Sequence, residues 1–251
     1  MASKGYTNPA GRVSVYDPTL TTTHASGLWA SCPLQEYLHD PSIGILLDEQ
    51  FQSYNATATT GDYVLTQATA GAAAISTAAP GVLELDSDSS TSTQGATLQR
   101  AKSCFLPASG KSLWFETKIK VVDTYDKVEL FVGLSELDTT LIATSANSSA
   151  NHIGWQCVTD NGVLLFTSEK ATVGTTAAAA TIAEATYIKL GFVYDGDADT
   201  VQQYINGVAV GSAIATTYIP KVAIYPSFVC QSAGTNDPIL HIAGYRVFQL
   251  R

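Results

Sequence analysis

The sequence contains few charged residues, and positive charge is the scarcer kind. Charged residues make up 14% of its 251 residues, and 13 lysines and arginines stand against 22 acidic residues, for a net charge of -9. Globular proteins average about 25% charged residues. No basic cluster is present that could follow a phosphate backbone, so we expect no nucleic-acid partner. Surface polarity must come from hydroxyls and amides, which suits contact with protein or carbohydrate.

Long apolar runs are missing as well. Nowhere do 18 consecutive apolar residues occur, the length needed to cross a bilayer, and residues 1–17 contain no apolar run of signal-peptide length. We therefore expect no membrane partner. We expect the chain to be made in a cytosol, which it would leave only by lysis or assembly.

Cysteine motifs are absent too. Cys32, Cys104, Cys157 and Cys230 are far apart and form no C-x-x-C pair, which argues against a zinc site or a redox pair. Free buried thiols are the favoured interpretation. A bridge between Cys157 and Cys230 stays open, because both lie in strand-like segments.

Strand signals are abundant instead. Residues 186–211, TYIKLGFVYDGDADTVQQYINGVAVG, contain three strand-length stretches joined by two turn signals. Apolar residues recur at every second position over 188–194, an acidic turn follows at 195–199, and Asn206-Gly207 favours a tight hairpin. This segment predicts an antiparallel meander.

Similar patterns recur along the rest of the chain. Roughly twelve strands separated by turns favour a two-sheet sandwich, since one sheet of that size would curl or split. Beyond residues 186–211, the strand candidates are Ile45–Phe51, Tyr63–Gln67, Gly81–Leu85, Gln99–Phe105, Leu113–Val122, Val128–Leu134, His152–Val158, Val163–Ser168, Val222–Cys230 and Pro238–Leu250.

Two further features of the sequence, the alanine-rich tracts and the parity of the last strand, predict local structure. The alanine-rich tracts at 70–79 and 176–180 lack caps and an apolar stripe, so they are predicted as loops or edge strands and not as helices. In the last strand, the shared parity of Leu240, Ile242, Phe248 and Leu250 predicts that these four side chains lie on one face.

Residues 1–45 read as an extended arm, and residues 46–251 as the sandwich domain. In the arm, neither the helical nor the strand spacing of apolar residues continues for long, and four prolines interrupt the chain. One short helix is expected after Pro33. Its large apolar side chains are unlike those of a disordered tail, so it should dock on its own sandwich or on a neighbouring subunit. The predicted partner-binding residues are Tyr6, Tyr16, Leu28, Trp29, Tyr37 and Leu38.

Catalytic patterns are incomplete. Glycosidases need two carboxylates across a sugar bond, and the segment Glu84-Leu85-Asp86 is followed by Asp88 and Ser89 where a second Glu would be needed. His152 and His241 are isolated in predicted strands, where a structural role is favoured. We therefore expect no catalytic residues.

Metal and glycan signals are weak. Asp195, Asp197 and Asp199 could offer oxygen ligands to calcium, but Thr200 stands where an EF-hand loop has Gly and no Glu closes the loop, so a turn is favoured and no cofactor is expected. Trp155 is predicted to lie in the core. Trp114 shares its parity with charged residues and is predicted to face outward, as a glycan platform or in a subunit interface.

Five segments carry a family resemblance. They are WFETKIKV at 114–121, VELFVGLSE at 128–136, IGWQCVTDNGVLLF at 153–166, residues 187–211 and ILHIAGYRVFQLR at 239–251. Their succession resembles the all-β, antiparallel jelly-roll sandwich of concanavalin A-like and laminin-G-like domains, over about residues 46–251. That superfold hosts lectins, adhesion modules, lyases, glycosidases and structural proteins, so it implies no single function.

The layout of the whole chain is also similar to head decoration or cement proteins of tailed bacteriophages. This resemblance implies a non-enzymatic virion protein, assembled in the host cytoplasm, that binds a major capsid protein and copies of itself through its arm. The alternative is a carbohydrate-binding module of a tail or fibre, in which the loops at 139–152 and 231–238 recognise a host-surface glycan. A polysaccharide-active enzyme is the third hypothesis.

Overall fold

The fold consists of two antiparallel β-sheets packed face to face. A computed structural model describes residues 4–7, 13–16, 27–56, 61–68, 71–88, 91, 94–143, 146–147, 151–159, 161–234 and 236–251. Within these residues the chain forms nineteen strands and one short α-helix. The predicted all-β sandwich is confirmed.

The strand bounds follow the period-2 segments of the sequence. The first ten strands are β1 Lys4–Thr7, β2 Val13–Tyr16, β3 Gly44–Glu49, β4 Val64–Ala68, β5 Ala72–Ile75, β6 Leu83–Asp86, β7 Gly95–Gln99, β8 Leu113–Val122, β9 Val128–Ser135 and β10 Ile142–Ala143. The others are β11 Ala146–Asn147, β12 Asn151–Cys157, β13 Val163–Lys170, β14 Val173–Thr181, β15 Ile188–Asp195, β16 Thr200–Ile205, β17 Val208–Ala215, β18 Tyr225–Ser232 and β19 Ile239–Leu250. The helix α1 spans Leu34–His39.

The two sheets interleave distant parts of the chain. The seven-stranded sheet has the order β14-β13-β12-β9-β18-β7-β4. The eight-stranded sheet has the order β17-β16-β15-β8-β19-β6-β5, with β3 paired to β19 at the side. The strands β1 and β2 pair with each other, as do β10 and β11.

The core fills the space between the two sheets, as alternation predicts. In β8 the side chains of Phe115, Ile119 and Val121 are fully buried, while Lys118 on the opposite face is exposed. Trp155 is also fully buried, which confirms its predicted core position. Its ring lies edge-on to Phe166 at 5.3 Å between centroids, a favourable aromatic arrangement.

A β-bulge in β19 corrects the predicted parity of the last strand. The pairing of β19 with β8 shifts register between Ile242 and Tyr245. The extra residue exchanges the two faces of the strand, because side chains alternate with period two. Leu240 and Ile242 point into the main core, whereas Phe248 lies on the outer face with Trp114. The prediction of one shared face was therefore wrong.

Of the other local predictions, some are right and some are wrong. The alanine-rich tracts form the edge strands β5 and β14, as expected. The candidate strand Gln99–Phe105 is wrong in its bounds, because β7 ends at Gln99 and the chain turns at 101–102 before Phe105 makes an isolated bridge to Ile224. The short pair β1 and β2 has no clear sequence signal in the proline-broken arm.

Residues 27–43 cover part of the outer face of the eight-stranded sheet. Leu28, Trp114 and Phe248 form an apolar cluster there, and Tyr37 of α1 packs edge-on against Phe248 at 5.4 Å between ring centroids. The short helix after Pro33 is thus present as predicted. This segment contacts the chain's own sandwich, which is one of the two docking partners considered for the arm.

The described part of the chain contains no helix with the length and hydropathy required to cross a membrane. All four cysteines are free thiols, so Cys157 and Cys230 are not bridged.

Candidate functional site

A groove of about 590 Å³ opens on the outer face of the eight-stranded sheet, beside residues 27–43. It lies where β3, β8 and β19 meet, around the bulge in β19. Its walls carry carboxylates, side-chain amides and cations in close proximity. The lining residues are Asp48, Glu49, Gln50, Gln52, Pro80, Gly81, Glu116, Thr117, Lys118, Lys189, Ala243, Gly244, Tyr245 and Arg246.

The bulge that shapes the groove depends on Gly244. Its φ of +111° lies in a region that other residues rarely adopt, and a Cβ added there would lie 2.7 Å from the carbonyl oxygen of Glu49. Thr117 fixes the bulge from the neighbouring strand, because its hydroxyl donates a 3.0 Å hydrogen bond to the Gly244 carbonyl. Glycine therefore permits the close approach of β3 and β19 at the groove.

The groove's carboxylates are held by cations or donors. Arg246 Nε donates to Asp48 Oδ2 at 3.0 Å, and both side chains are partly exposed. Glu116 Oε2 accepts a 2.8 Å hydrogen bond from Trp29 Nε1, and its other oxygen lies 4.0 Å from Lys189 Nζ. The polar groups of the groove are thus kept in place while solvent still reaches them.

Trp29 flanks the groove and links it to the docked segment. Its indole contacts two lining residues, Glu116 through the hydrogen bond and Arg246 through a cation–π contact of 5.6 Å to the ring centroid. The side chain is half-buried, and it packs against the cluster around Leu28. An aromatic ring therefore lies next to fixed polar groups.

A tyrosine cluster closes the inner end of the groove. The hydroxyls of Tyr63 and Tyr245 are 2.9 Å apart, and Tyr63 donates to Glu49 Oε2 at 3.1 Å. Arg100 forms an ion pair of 2.6 Å with the same carboxylate. Burial raises the pKa of Tyr245 to about 12, and burial next to Tyr245 raises the pKa of Tyr63 further. Both phenols stay protonated at neutral pH, which suits donating hydrogen bonds and not accepting a proton.

A second concavity, of about 250 Å³, lies on the outer face of the seven-stranded sheet. Thr66, Thr97, Thr139 and Thr140 give it four hydroxyls, and Ile142 lies among its apolar lining. The same face carries a buried network in which a glutamine amide donates to two serine hydroxyls at 2.9 and 3.1 Å. Those residues are Gln99, Ser135 and Ser227. The network's donors are used within the protein.

Trp114 lies on the outer face of β8, as its parity predicts, but it is not exposed. Only 3% of its surface is exposed, and its indole nitrogen lies 3.3 Å from Ser31 Oγ in the docked segment. The charged parity of β8 gives an outer face, but residues 27–37 cover that face at Trp114. The prediction of a surface glycan platform at this residue is therefore wrong.

The predicted partner-binding residues fall in different surroundings. Leu28 is 1% exposed against the sandwich, while Leu38 is 76% exposed on α1. Trp29 and Tyr37 are half-buried in the docked segment. Tyr6 and Tyr16 belong to β1 and β2, and their side chains lie outside the described residues.

The three aspartates of the β15–β16 turn serve the turn and its neighbours. Asp195 Oδ1 accepts hydrogen bonds from the backbone amides of Asp197 and Ala198 at 2.9 and 3.0 Å. Asp199 forms an ion pair with Lys221 and accepts from the Tyr194 hydroxyl at 3.0 Å. No group of three His, Cys, Asp or Glu side chains arranged to hold a metal ion occurs among the residues with described positions.

The carboxylates and histidines considered as catalytic candidates do not line the groove. Glu84 of β6 is 3.5 Å from His241 Nε2, and Asp86 accepts from the Asp88 amide at 2.8 Å. His152 is buried on the other sheet, where it packs edge-on against Phe131. Glu84 and His241 are therefore neighbours, whereas His152 lies on the other sheet.

Comparison with solved structures shows which fold this is. Peanut lectin superposes with a TM-score of 0.58 at 12% identity, covering 83% of this chain and 98% of the lectin. The carbohydrate recognition domain of Emp47p gives 0.57 at 11%, covering 83% and 98%. An endo-1,3-beta-glucanase from Streptomyces sioyaensis gives 0.54 at 10%, covering 83% and 96%. The fold is the concanavalin A-like jelly-roll sandwich. No protein-family model matches the sequence, and no curated protein matches it.

Sequence reasoning missed the groove. Its strand residues come from β3, β8, β15 and β19, which are far apart in the sequence, so no local motif marks it. One signal was available: Gly244 interrupts an otherwise bulky strand, and an isolated glycine in a strand suggests a bulge or close backbone approach.

Proposed function

We propose that this protein binds a saccharide in the groove around Gly244. The observation that carries the proposal is the convergence of Asp48, Glu116 and Arg246 with the flanking indole of Trp29. Several concanavalin A-like neighbours are lectins, which supports the same conclusion from the fold.

The chemistry of the groove suits sugar hydroxyls. A carboxylate accepts hydrogen bonds from hydroxyls, and a guanidinium offers a rigid fork of donors. Asp48, Gln50 and Gln52 are exposed, so a ligand can reach their polar atoms without unfolding the wall. An aromatic ring next to such groups presents an apolar surface to the C–H face of a sugar.

We propose that the groove binds a saccharide and does not hydrolyse it. Glycosidases use one carboxylic acid that gives up a proton and a second carboxylate across the sugar bond. In the groove Asp48 faces Arg246, Glu49 faces Arg100, and Glu116 faces Trp29 and Lys189. These pairings suit carboxylates that accept hydrogen bonds from a bound ligand. We therefore expect no release of reducing sugar from any bound polysaccharide.

A glycan array with the full chain tests the proposal. We expect specific binding that falls at least about tenfold in Asp48→Ala, since a hydrogen bond to a charged group contributes about 1.5–3 kcal/mol. Asp197→Ala is the matched control, because it removes another exposed aspartate, in the β15–β16 turn. Wild-type protein that binds no glycan would refute the proposal.

Particle attachment is a second candidate, favoured by one observation. Leu38 is 76% exposed on a helix that is itself anchored to the sandwich, so an apolar side chain is presented on a fixed base. We propose that a virion protein of this kind would meet a major capsid protein or another copy of itself there. Mass spectrometry of purified tailed-phage particles tests this, with Leu38→Asp expected to weaken attachment and Val173→Asp, at another exposed site, expected not to.

A further inference from the structure

We propose that the groove prefers an acidic saccharide, whose carboxylate or sulfate binds between Lys118 and Lys189. The inference rests on the proposed function, because it names the class of sugar that the same groove takes. It is carried by three lysines that the fold places together on one sheet face.

Strand register places two of these lysines side by side. In the pairing of β15 with β8, Lys189 is directly opposite Lys118. Both side chains are exposed and both line the groove. Like charges directly opposite each other in a sheet are destabilising. The fold therefore tolerates a repulsive pair at the position where a bound anion would relieve it.

Lys120 extends the same positive patch. It lies two residues along β8 from Lys118, hence on the same face, and its cross-strand neighbour is His241. The ammonium groups of Lys118 and Lys120 stand 4.6 and 5.0 Å from the centroid of one ring, that of Tyr187. Two cations thus share one aromatic ring beside the groove.

The acids nearby do not neutralise the patch. Asp48 is paired with Arg246 and Glu49 with Arg100, while Glu84 lies next to His241. Glu116 reaches Lys189 only at 4.0 Å and gives its other oxygen to Trp29. Within the described parts of the chain, Lys118 and Lys120 form no ion pair.

The patch is also unusual for this protein. The chain has only 13 lysines and arginines and a net charge of -9, yet Lys118 and Lys189 line one groove and Lys120 lies beside Lys118 on the same face. A local positive potential on an acidic protein attracts anions to that place and not to the surface in general. A saccharide with an acidic group would satisfy the lysines while its hydroxyls meet Asp48, Gln50 and Gln52.

The test compares one sugar backbone with and without charge. Calorimetry of the full chain would use oligogalacturonate and its neutral methyl ester at about 150 mM salt, with sulfated and plain dextran as the arm that separates sulfate from carboxylate recognition. We expect the acidic form of at least one pair to bind about tenfold tighter, since each partly exposed ion pair contributes up to about 1 kcal/mol.

A charge-matched control isolates the patch. Lys118→Gln with Lys189→Gln should abolish the preference, whereas Lys102→Gln with Lys111→Gln removes the same charge from exposed lysines outside the groove and should leave it intact. Equal binding of acid and ester would overturn the inference while the proposed function stands. Equal loss in both double variants, or equal binding of single-stranded DNA, would also overturn it, because either result indicates net-charge attraction. Absence of any saccharide binding would overturn both.

Discussion

Trp29 Nε1 donates a hydrogen bond of 2.8 Å to Glu116 Oε2, and this bond joins residues 27–43 to the groove. Trp29 is therefore held by the segment on one side and by a groove carboxylate on the other. The same indole contacts Arg246, whose partner is Asp48. Docking of the segment and the shape of the groove are coupled through these side chains.

The docked segment should stabilise the sandwich through its buried leucine. Leu28→Ala is expected to lower the free energy of unfolding by about 2–5 kcal/mol, because the side chain is 1% exposed against Trp114 and Phe248. Leu38→Ala, at 76% exposure in the same segment, should change it by less than about 0.5 kcal/mol. Urea denaturation of both variants measures the difference, and equal effects would show that the segment does not dock as described.

The bulge should require glycine at position 244. Gly244→Ala places a Cβ 2.7 Å from the Glu49 carbonyl oxygen at a φ of +111°. We expect a loss of about 1–3 kcal/mol in stability. We also expect weaker saccharide binding, since the groove walls must shift. Gly234→Ala is the control, because an added Cβ there meets nothing within 4 Å. A fully stable Gly244→Ala variant would contradict the assigned bulge.

Stability should fall in mild acid because of His241. Burial and the neighbouring Lys120 lower the pKa of His241 below its ordinary value of 6.5, although Glu84 opposes this. The unfolded chain therefore binds a proton at His241 more readily than the folded chain does. The free energy of unfolding consequently decreases as the pH falls through 6.5. His241→Gln should flatten the stability profile between about pH 7 and 5. His39→Gln at the exposed end of α1 should leave it unchanged.

The thiols should differ sharply in reactivity. Cys104 is exposed, Cys157 and Cys230 are buried, and burial raises the pKa of Cys32 to about 12. Because the thiolate is the reactive form, titration of the native protein with Ellman's reagent should show one fast thiol per chain, removed by Cys104→Ser. All four should react after denaturation without reductant. Only two reactive thiols in the denatured chain would reveal a disulfide.

The sequence predicts features that depend on neighbouring residues, such as single strands. It does not predict features formed by residues that are far apart in the chain. Period-2 alternation predicts β8 and β15 well, because each strand's burial pattern depends on its own pleat. The bulge near Gly244 escapes such reasoning, since a single extra residue reverses the face of everything after it. Trp114 was misassigned for another reason: the segment that covers it lies about 80 residues upstream. The groove combines residues of four strands, β3, β8, β15 and β19, so its residues share no motif.

Mapping the binding surface by NMR is the sharpest test of whether a saccharide binds in the groove around Gly244. The isotope-labelled chain of 251 residues would be titrated with a saccharide that binds it on the array, and backbone amide shifts would be followed. Binding in the groove should give the largest shifts at residues 48–52, 116–118 and 243–246. Shifts confined to the threonine-lined concavity of the other sheet, at Thr66, Thr97 and Thr139, or no shifts at all, would contradict it.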